Sequence, residues 1–375
     1  MSVLNDASKY WILGLCLIVG LSACGDKAAS HVEARGETVN FYNWFNDVNP
    51  DALAEFTRAT GIAVVHDVYD SDEVLEGKLL AGHSNYDLVV PGASAFAKQL
   101  TAGVYLALDH TKLHNYRELD PSLMAKLAVM DPDNRFGIPY SWGTTGLGLN
   151  VDRILARMPD APLDSWALFF DPDVVRKFQD CGVALLDSPG DVMPIALNYL
   201  GRNPESLSET DLDDAVALIA RIQPFVRYFH SSQLFDDLAN GEVCLILGWS
   251  GSVIQSRQAG EGLNLRYVIP KEGAPIWFEV MAVPADAPHI ENAYRLIDHL
   301  LSPHTAAGFT SALFYQSAVT SAAALVDPAV LDDPAVYPPP AVMSRLFLDI
   351  AARVPDYERL RLRKWIAMKA GQATP

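Results

Sequence analysis

Positive charge is scarce in this chain of 375 residues, where 28 Lys and Arg residues stand against 46 Asp and Glu residues. The formal net charge is −18, and a body this acidic repels nucleic acid and attracts cations. Long hydrophobic runs are scarce too, because the apolar run at positions 10–21 is too short to cross a membrane as a stable helix. Half of the residues are nevertheless hydrophobic, which predicts a globular protein with enough chain for two domains.

Complete catalytic and metal-binding motifs are also missing. The stretch 248–252 (GWSGS) departs from the G-x-S-x-G pattern of serine hydrolases at its last residue, and a small turn after a strand explains it better. The pair Gly146 and Gly148 lacks the third glycine of a dinucleotide-binding loop. His110 and His114 are four residues apart, but no Glu follows His110 as a zinc-protease helix requires. We therefore predict no enzyme activity, no cofactor and no metal site.

The amino-terminal segment has the pattern of an export signal. Lys9 precedes the apolar run, which ends in the sequence LSAC at positions 21–24 and resembles the lipobox of bacterial lipoproteins. The resemblance implies a signal peptide at 1–23, cleavage before Cys24, and a lipid on the Cys24 sulfur. The lipid would anchor the protein, on the periplasmic side, to a membrane. Residues 24–36 would form a small, polar tether. The alternative is an ordinary secretory signal with a chance cysteine.

Only two cysteines, Cys181 and Cys244, remain once Cys16 and Cys24 are set aside with the export signal. In an exported chain, an even pair suggests a disulfide, with two buried free thiols as the alternative.

Predicted strands and helices alternate at the start of the mature chain, at positions 38–43, 49–61, 62–67, 71–82 and 86–90. This order is typical of a parallel, doubly wound α/β sheet, in which ligands bind beyond the carboxyl ends of the strands. A further apolar strand, at 243–247, ends at Gly248 and leads to Trp249. Trp44, Gly92 and Trp249 therefore stand at predicted strand ends.

Two glycine- and proline-rich stretches, 136–150 and 270–275, predict hinge crossings between two lobes. We expect an α/β fold with two lobes and a ligand cleft between them. The first lobe would comprise residues 37–142 and 275–325, and the second residues 143–274 and 338–375. A proline-rich segment at 327–340 is predicted to be an extended linker, and a carboxyl-terminal helix would pack on the second lobe.

Several segments match a known family: 42–44 (YNW), 60–62 (TGI), 71–80 (SDEVLEGKLL), 86–94 (YDLVVPGAS), 227–232 (RYFHSS), 238–249 (LANGEVCLILGW) and 270–274 (PKEGA). From about Val39 to its end, the chain resembles the periplasmic polyamine-binding proteins of ABC transporters, of the putrescine and spermidine type. The resemblance implies a type II periplasmic-binding-protein fold. It also implies a solute-binding receptor that captures a polyamine or related cationic amine and delivers it to a membrane permease.

The family holds its ligand in an aromatic box closed by carboxylates. Aromatic faces attract ammonium groups and cover methylene chains, and carboxylates fix each ammonium by charge-assisted hydrogen bonds. The resemblance places the box at Trp44, Trp249, Trp277 and Tyr315, and the carboxylates at Asp191 and Glu279. The other implied contacts are Phe45, Asn46, Asp47, Gly92 and Ser252.

Some of these positions depart from the family pattern. Phe45-Asn46 replaces a Ser-Asp pair of the putrescine type, Ser252 replaces an Asp, and Gly92 stands where Ser is common. Asp47 would supply a substitute charge, or would simply precede a helix. Because an unpaired ammonium in a closed cleft is costly, spermidine, agmatine, a monoamine or γ-aminobutyrate remain alternatives to putrescine, as does a sensing role. Relatives of the putrescine type carry cysteines at the positions of Cys181 and Cys244, which supports their pairing.

Overall fold

The structure is a computed structural model that describes residues 37–45, 47–69 and 71–371. The predicted signal peptide, the lipidation site Cys24 and almost all of the tether lie outside the described residues, as does the candidate contact Asn46. Within the described ranges, no helix is both long enough and apolar enough to span a bilayer.

The strands are β1 Thr38–Trp44, β2 Ala63–Tyr69, β3 Leu88–Val89, β4 Gly137–Asn150, β5 Val183–Leu185, β6 Tyr228–Phe229, β7 Leu245–Trp249, β8 Leu265–Val268, β9 Ala274–Ala282, β10 Gln316–Ser317 and β11 Leu346–Phe347. The helices are α1 Pro50–Thr60, α2 Asp72–Ala81, α3 Ala93–Thr101, α4 Pro121–Ala128, α5 Val151–Leu155, α6 Ala167–Phe170, α7 Pro172–Val175, α8 Pro189–Tyr199, α9 Glu209–Ile222, α10 Gln233–Ala239, α11 Ser250–Ala259, α12 Ile290–Leu300, α13 Pro303–Leu313, α14 Pro328–Leu331, α15 Pro340–Met343 and α16 Pro355–Lys369.

Local sequence signals set the first helices. The Asn49 side chain accepts a hydrogen bond from the Asp51 amide at the start of α1, and Pro50 occupies the first turn. Gly61 ends the helix in the left-handed conformation, with φ of 76°. Ser71 caps α2 in the same way as Asn49 caps α1. These boundaries confirm the predicted starts of both helices.

Strand β4 joins two groups of strands. Its first part, from Gly137 to Thr144, pairs with β9, which leads through β3 to β1 and β2. Its second part, from Thr145 to Asn150, pairs with β7 and β8, and β7 leads to β5 and β6. All 14 residues of β4 are buried. The predicted crossing at 136–150 therefore consists of one long strand, whose backbone is paired along most of its length.

Two other expectations are corrected. The strand predicted at 243–247 runs from Leu245 to Trp249, so Trp249 is the last residue of the strand and not a residue beyond it. The segment 327–340 is not simply extended, because Asp327 caps the short helix α14 and Pro340 opens α15. Proline at a first helical position promotes such short helices, since its missing amide donor is not needed there.

The carboxyl-terminal segment contacts both strand groups. Helix α16 packs on α8 and α9, and the Trp365 indole donates a hydrogen bond to Asp187 at 2.7 Å. Upstream of α16, β11 pairs with β9, and the Ser94 hydroxyl of α3 donates to the Asp349 carbonyl at 3.2 Å. The residue limits of the two lobes stay a prediction.

Candidate ligand-binding site

The carboxyl of Glu279 lies where several strand ends meet. Glu279 and Trp277 are two residues apart on β9, so both side chains leave the same face of the strand. The Trp44 indole, at the end of β1, donates a hydrogen bond to Glu279 Oε2 at 2.9 Å. Gly92 forms an isolated β-bridge with Glu279. The structure thus brings together four residues that the sequence predicts for the site.

A second carboxyl, Asp47, is buried near Glu279. Asp47 is 8% exposed, and its Oδ2 atom has no hydrogen-bond partner among the described residues. Burial raises the pKa of Asp47 well above its usual range, while a hydrogen bond from Asn43 acts in the opposite direction. Burial also raises the pKa of Glu279, and repulsion by Asp47 and Asp72 adds to that effect. Asp47 is therefore a member of this group of acids rather than a solvated residue before a helix.

Asp72 is a residue that sequence reasoning missed. It opens α2, immediately after the end of β2, and its Oδ1 accepts a hydrogen bond from the Gly92 amide at 3.2 Å. Burial is the main cause that raises its pKa to about 7. The segment 71–80 enters the sequence argument only through its family resemblance. The rule that functional side chains gather at strand ends would have selected Asp72 as well.

Two aromatic residues, Trp277 and Tyr315, lie near Glu279. The rings of Trp277 and Tyr315 meet edge to face with centroids 5.1 Å apart. The Tyr315 hydroxyl is 2.8 Å from the Ser252 hydroxyl. It also accepts a hydrogen bond from the Ser252 backbone amide at 3.1 Å. The Trp277 Nε1 atom is buried without a hydrogen-bond partner in the described part of the chain. Ser252 therefore holds Tyr315 in place, and one indole donor is left unused.

Asp191 stands in a different environment. It lies in the first turn of α8, where the Thr145 hydroxyl donates to Oδ1 at 2.6 Å and the Ser188 hydroxyl donates to Oδ2 at 2.7 Å. Burial raises the pKa of Asp191, and the two hydroxyls and the Trp249 indole oppose that effect. The ring of Trp249 also stacks on Phe235 with centroids 5.8 Å apart.

Strand β4 connects these two sets of residues. Gly143 pairs with Trp277 of β9. Thr145, two residues further along β4, pairs with Trp249 of β7. A Cβ atom at Gly143 would lie 2.6 Å from the Trp277 ring, so the glycine lets this indole lie directly on the strand. The two tryptophans therefore flank the same side of β4.

The predicted disulfide is present. Cys181 and Cys244 are bonded and fully buried, and they stand just before β5 and β7. The bond links the strand that precedes Asp191 to the strand that ends at Trp249. Phe45 is different from the other candidates, because its side chain is 67% exposed.

An α/β fold in which strand ends gather carboxyls and indoles defines a binding protein for a small solute. Residues 51–338 match the bacterial extracellular solute-binding proteins, and the chain belongs to that family. Membership confirms the expectation of a binding protein rather than an enzyme.

Relatives and solved structures agree with this assignment. The chain is 43% identical to the putrescine-binding periplasmic protein PotF of Escherichia coli K12, over 99% of this chain and all of the relative. It is 42% identical to the putrescine-binding periplasmic protein SpuD of Pseudomonas aeruginosa, over 95% of this chain and 98% of that one. A putative spermidine/putrescine ABC transporter structure from Listeria monocytogenes is 27% identical, with a TM-score of 0.77 over 88% of this chain and 99% of its own. The spermidine/putrescine-binding protein PotD of Streptococcus pneumoniae is 25% identical, with a TM-score of 0.74 over 89% of this chain and all of its own. These likenesses confirm the two-lobed, type II fold.

Proposed function

We propose that this protein is a periplasmic receptor that captures a polyamine or a related cationic amine and delivers it to an ABC permease. One observation carries the proposal: the carboxyls of Glu279 and Asp47 are crowded together, and no ion pair in the described ranges joins either of them to a Lys or Arg. Acids withdrawn from water in this way are costly unless a cation neutralises them. An ammonium group of the ligand is the simplest cation to do so.

The aromatic residues suit the rest of such a ligand. Trp44 and Trp249 end β1 and β7, Trp277 lies within β9, and Tyr315 comes just before β10. Their aromatic faces attract ammonium groups, at about 0.5–2 kcal/mol for each contact. Asp191 supplies a carboxylate at the other end. The names of the relatives, which are putrescine-binding or spermidine/putrescine-binding proteins, support the same ligand class.

Calorimetric titration of the purified protein tests the proposal. The panel is putrescine, cadaverine, spermidine, agmatine and γ-aminobutyrate, which also separates a cationic from a zwitterionic ligand. We expect at least one cationic amine to bind at a single site and to raise the melting temperature. The absence of binding by every amine in the panel would overturn the proposal. Amine uptake by a strain that lacks the gene would then separate transport from sensing.

Membrane anchoring through a lipid on Cys24 is part of the same proposal, and it is supported by the lipobox-like sequence at 21–24. A Cys24→Ala variant is expected to move from the membrane fraction to the soluble fraction of the periplasm. Equal membrane retention of both proteins would remove the anchor from the proposal. We expect no nucleic acid partner, because the net charge is −18.

A further inference from the structure

Two carboxyls lie against the bare side-chain face of Gly92. Its backbone angles, φ of −60° and ψ of 145°, are open to any residue, so the backbone does not require glycine here. The point that a Cβ atom would occupy is 3.1 Å from Asp72 Oδ2 and 3.8 Å from Glu279 Oε2. Carboxyl oxygens from two separate elements, α2 and β9, therefore converge on the side of Gly92 where a side chain would stand.

The surroundings of these two carboxyls are strongly acidic. The titratable and charged groups that influence Asp72 or share its neighbourhood come from six elements and segments: Glu73 and Glu76 of α2, Lys98 of α3, Glu279 of β9, Asp47 after β1, Tyr69 of β2, and Tyr105. Lys98 is the one cation in this set, and its ammonium already pairs with Glu76 at 2.7 Å. Asp47 is more than nine-tenths buried, its Oδ2 is unpartnered among the described residues, and its charge repels Glu279.

We propose that the Asp72 and Glu279 carboxyls beside Gly92 bind one primary ammonium group together, and that Asp72 is a residue that determines ligand specificity. The inference rests on the proposed function and deepens it, because it assigns a carboxylate that neither the sequence nor the family resemblance places in the site. An ammonium has three donor hydrogens, so it can bond to Asp72 Oδ2 and Glu279 Oε2 at once. Asp72 thereby supplies the charge that is missing at Asn46 and Ser252.

A metal ion fits this pair of carboxyls less well than an ammonium does. Within the described ranges, no three His, Cys, Asp or Glu side chains are placed to hold a metal. Two carboxyl oxygens that converge beside Gly92 suit a small cationic donor, and the Trp44 indole at 2.9 Å from Glu279 Oε2 provides an aromatic neighbour for it.

Binding by these two acids is expected to release protons. Near pH 6 the Asp72 carboxyl of the empty site holds a proton, because burial and the charges of Glu73 and Glu76 raise its pKa to about 7. When the ammonium enters, it remains charged, Asp72 becomes ionised, and its proton passes to the buffer. Amine affinity should therefore rise as the pH rises from 6 towards the pKa of Asp72, near 7.

The test compares Asp72→Asn with Glu73→Gln. Asparagine keeps the size of Asp72 and an oxygen acceptor for the Gly92 amide, whereas Glu73 is an exposed acid one residue further along α2. Titrations at pH 6 use the tightest amine of the panel, in two buffers with different ionisation enthalpies, so that both affinity and released protons are measured. We expect Asp72→Asn to bind at least tenfold more weakly and to release fewer protons, and Glu73→Gln to change both much less, because Glu73 acts on Asp72 only through its charge.

The outcomes separate this inference from the proposed function. If the wild type binds an amine and Asp72→Asn matches it in affinity and proton release, the inference fails and the proposed function stands. Equal losses in both variants would also defeat it, because they would reflect only the general field of α2. Failure of the wild type to bind any amine defeats both proposals.

A second variant covers the case in which Asp72→Asn does not fold. Gly92→Ala leaves every charge in place but puts a methyl group against the two carboxyls, 3.1 Å from Asp72 Oδ2 and 3.8 Å from Glu279 Oε2. We expect at least a tenfold loss of amine affinity. Undiminished binding by a folded Gly92→Ala protein would show that the ammonium lies elsewhere.

Discussion

The two carboxylate regions of the site, around Asp191 and around Glu279, differ in how their charges are satisfied. Asp191 accepts two hydroxyl hydrogen bonds, at 2.6 and 2.7 Å. Glu279 accepts one indole hydrogen bond and has two other acids, Asp47 and Asp72, as neighbours. In the first region both carboxylate oxygens have hydrogen-bond donors without a ligand, whereas the second region lacks such donors and is neutralised only when a cation arrives. A satisfied carboxylate fixes geometry, and a frustrated group of carboxyls provides the driving force for binding.

Covalent structure deepens the contrast. The Cys181–Cys244 bond ties together β5 and β7, the strands that lead to Asp191 and Trp249. The Glu279 region has no such bond among the described residues, and its parts come from β1, α2, the segment at Gly92 and β9. We infer that the Asp191 region is rigid before the ligand binds, and that the Glu279 region depends more on the ligand for its order.

Removal of the disulfide should give the largest effect on stability. In the chain-entropy model, a bond that closes a loop of 63 residues stabilises the fold by about 4 kcal/mol. A Cys181→Ala/Cys244→Ala double variant should therefore lose up to about this much unfolding free energy in urea titrations. Because the disulfide is confined to the Asp191 region, we expect the amine affinity of the folded variant to stay within about threefold of the wild type. A large loss of affinity with little loss of stability would contradict the contrast.

Sequence reasoning reached the fold class, the disulfide and the starts of α1 and α2, because these depend on local patterns and on cysteine number. It placed Trp249 beyond its strand and predicted a linker where α14 forms, since the ends of elements depend on pairing partners that the pattern does not show. It passed over Asp72, although the position of this residue just after β2 fits the strand-end rule. The approach of Glu279, more than 200 positions away, to the same side of Gly92 leaves no local signal in the sequence.

Glu279→Gln should give the largest effect on binding. The variant loses a carboxylate that pairs with the ligand away from water. The affinity for every cationic amine should therefore fall by about 30-fold, which is about 2 kcal/mol, or more. The unliganded variant should be as stable as the wild type or more stable, because repulsion by Asp47 and Asp72 is relieved. Titration calorimetry and urea unfolding measure the two quantities on the same protein.

A matched control for this variant is Glu261→Gln, which removes an exposed acid in the turn before β8. It should change neither affinity nor stability measurably, since exposed charges contribute little. If Glu279→Gln binds amines as tightly as Glu261→Gln does, the carboxyl does not contact the ligand.

The indoles test whether both regions touch one ligand. Trp249→Ala and Trp277→Ala should each weaken amine binding at least tenfold, or by about 1.4 kcal/mol, while the fold is kept. Circular dichroism confirms folding before each titration. If only Trp277→Ala weakens binding, the ligand lies in the Glu279 region alone, and Asp191 and Trp249 are structural.

The pH dependence of stability should differ between the wild type and Asp72→Asn. The pKa of Asp72 is raised from 3.8 in the unfolded chain to about 7, so between these values the folded protein holds a proton that the unfolded chain has lost. The unfolding free energy therefore falls as pH rises from about 4 to 7, with a slope of at most about 1.4 kcal/mol per pH unit, and levels off above that. The unfolding free energy of Asp72→Asn, measured by urea titration, should fall less steeply across this range. An identical slope would mean that the fold does not hold Asp72 in its neutral form.

Asp191→Asn should give the smallest effect, and one of opposite sign to Glu279→Gln. The asparagine oxygen still accepts a hydrogen bond from the Thr145 hydroxyl. Its NH₂ group, however, is a donor at the position where Asp191 Oδ2 accepted a hydrogen bond from the Ser188 hydroxyl. The Ser188 hydroxyl must then turn to accept a hydrogen bond, and the unliganded protein should lose about 1 kcal/mol of unfolding free energy. Because the hydroxyls satisfy the Asp191 carboxylate before any ligand arrives, affinity for cationic amines should fall less than in Glu279→Gln. A gain in stability on Asp191→Asn, similar to that expected of Glu279→Gln, would show that both carboxyls are frustrated and that the contrast between the two regions is wrong.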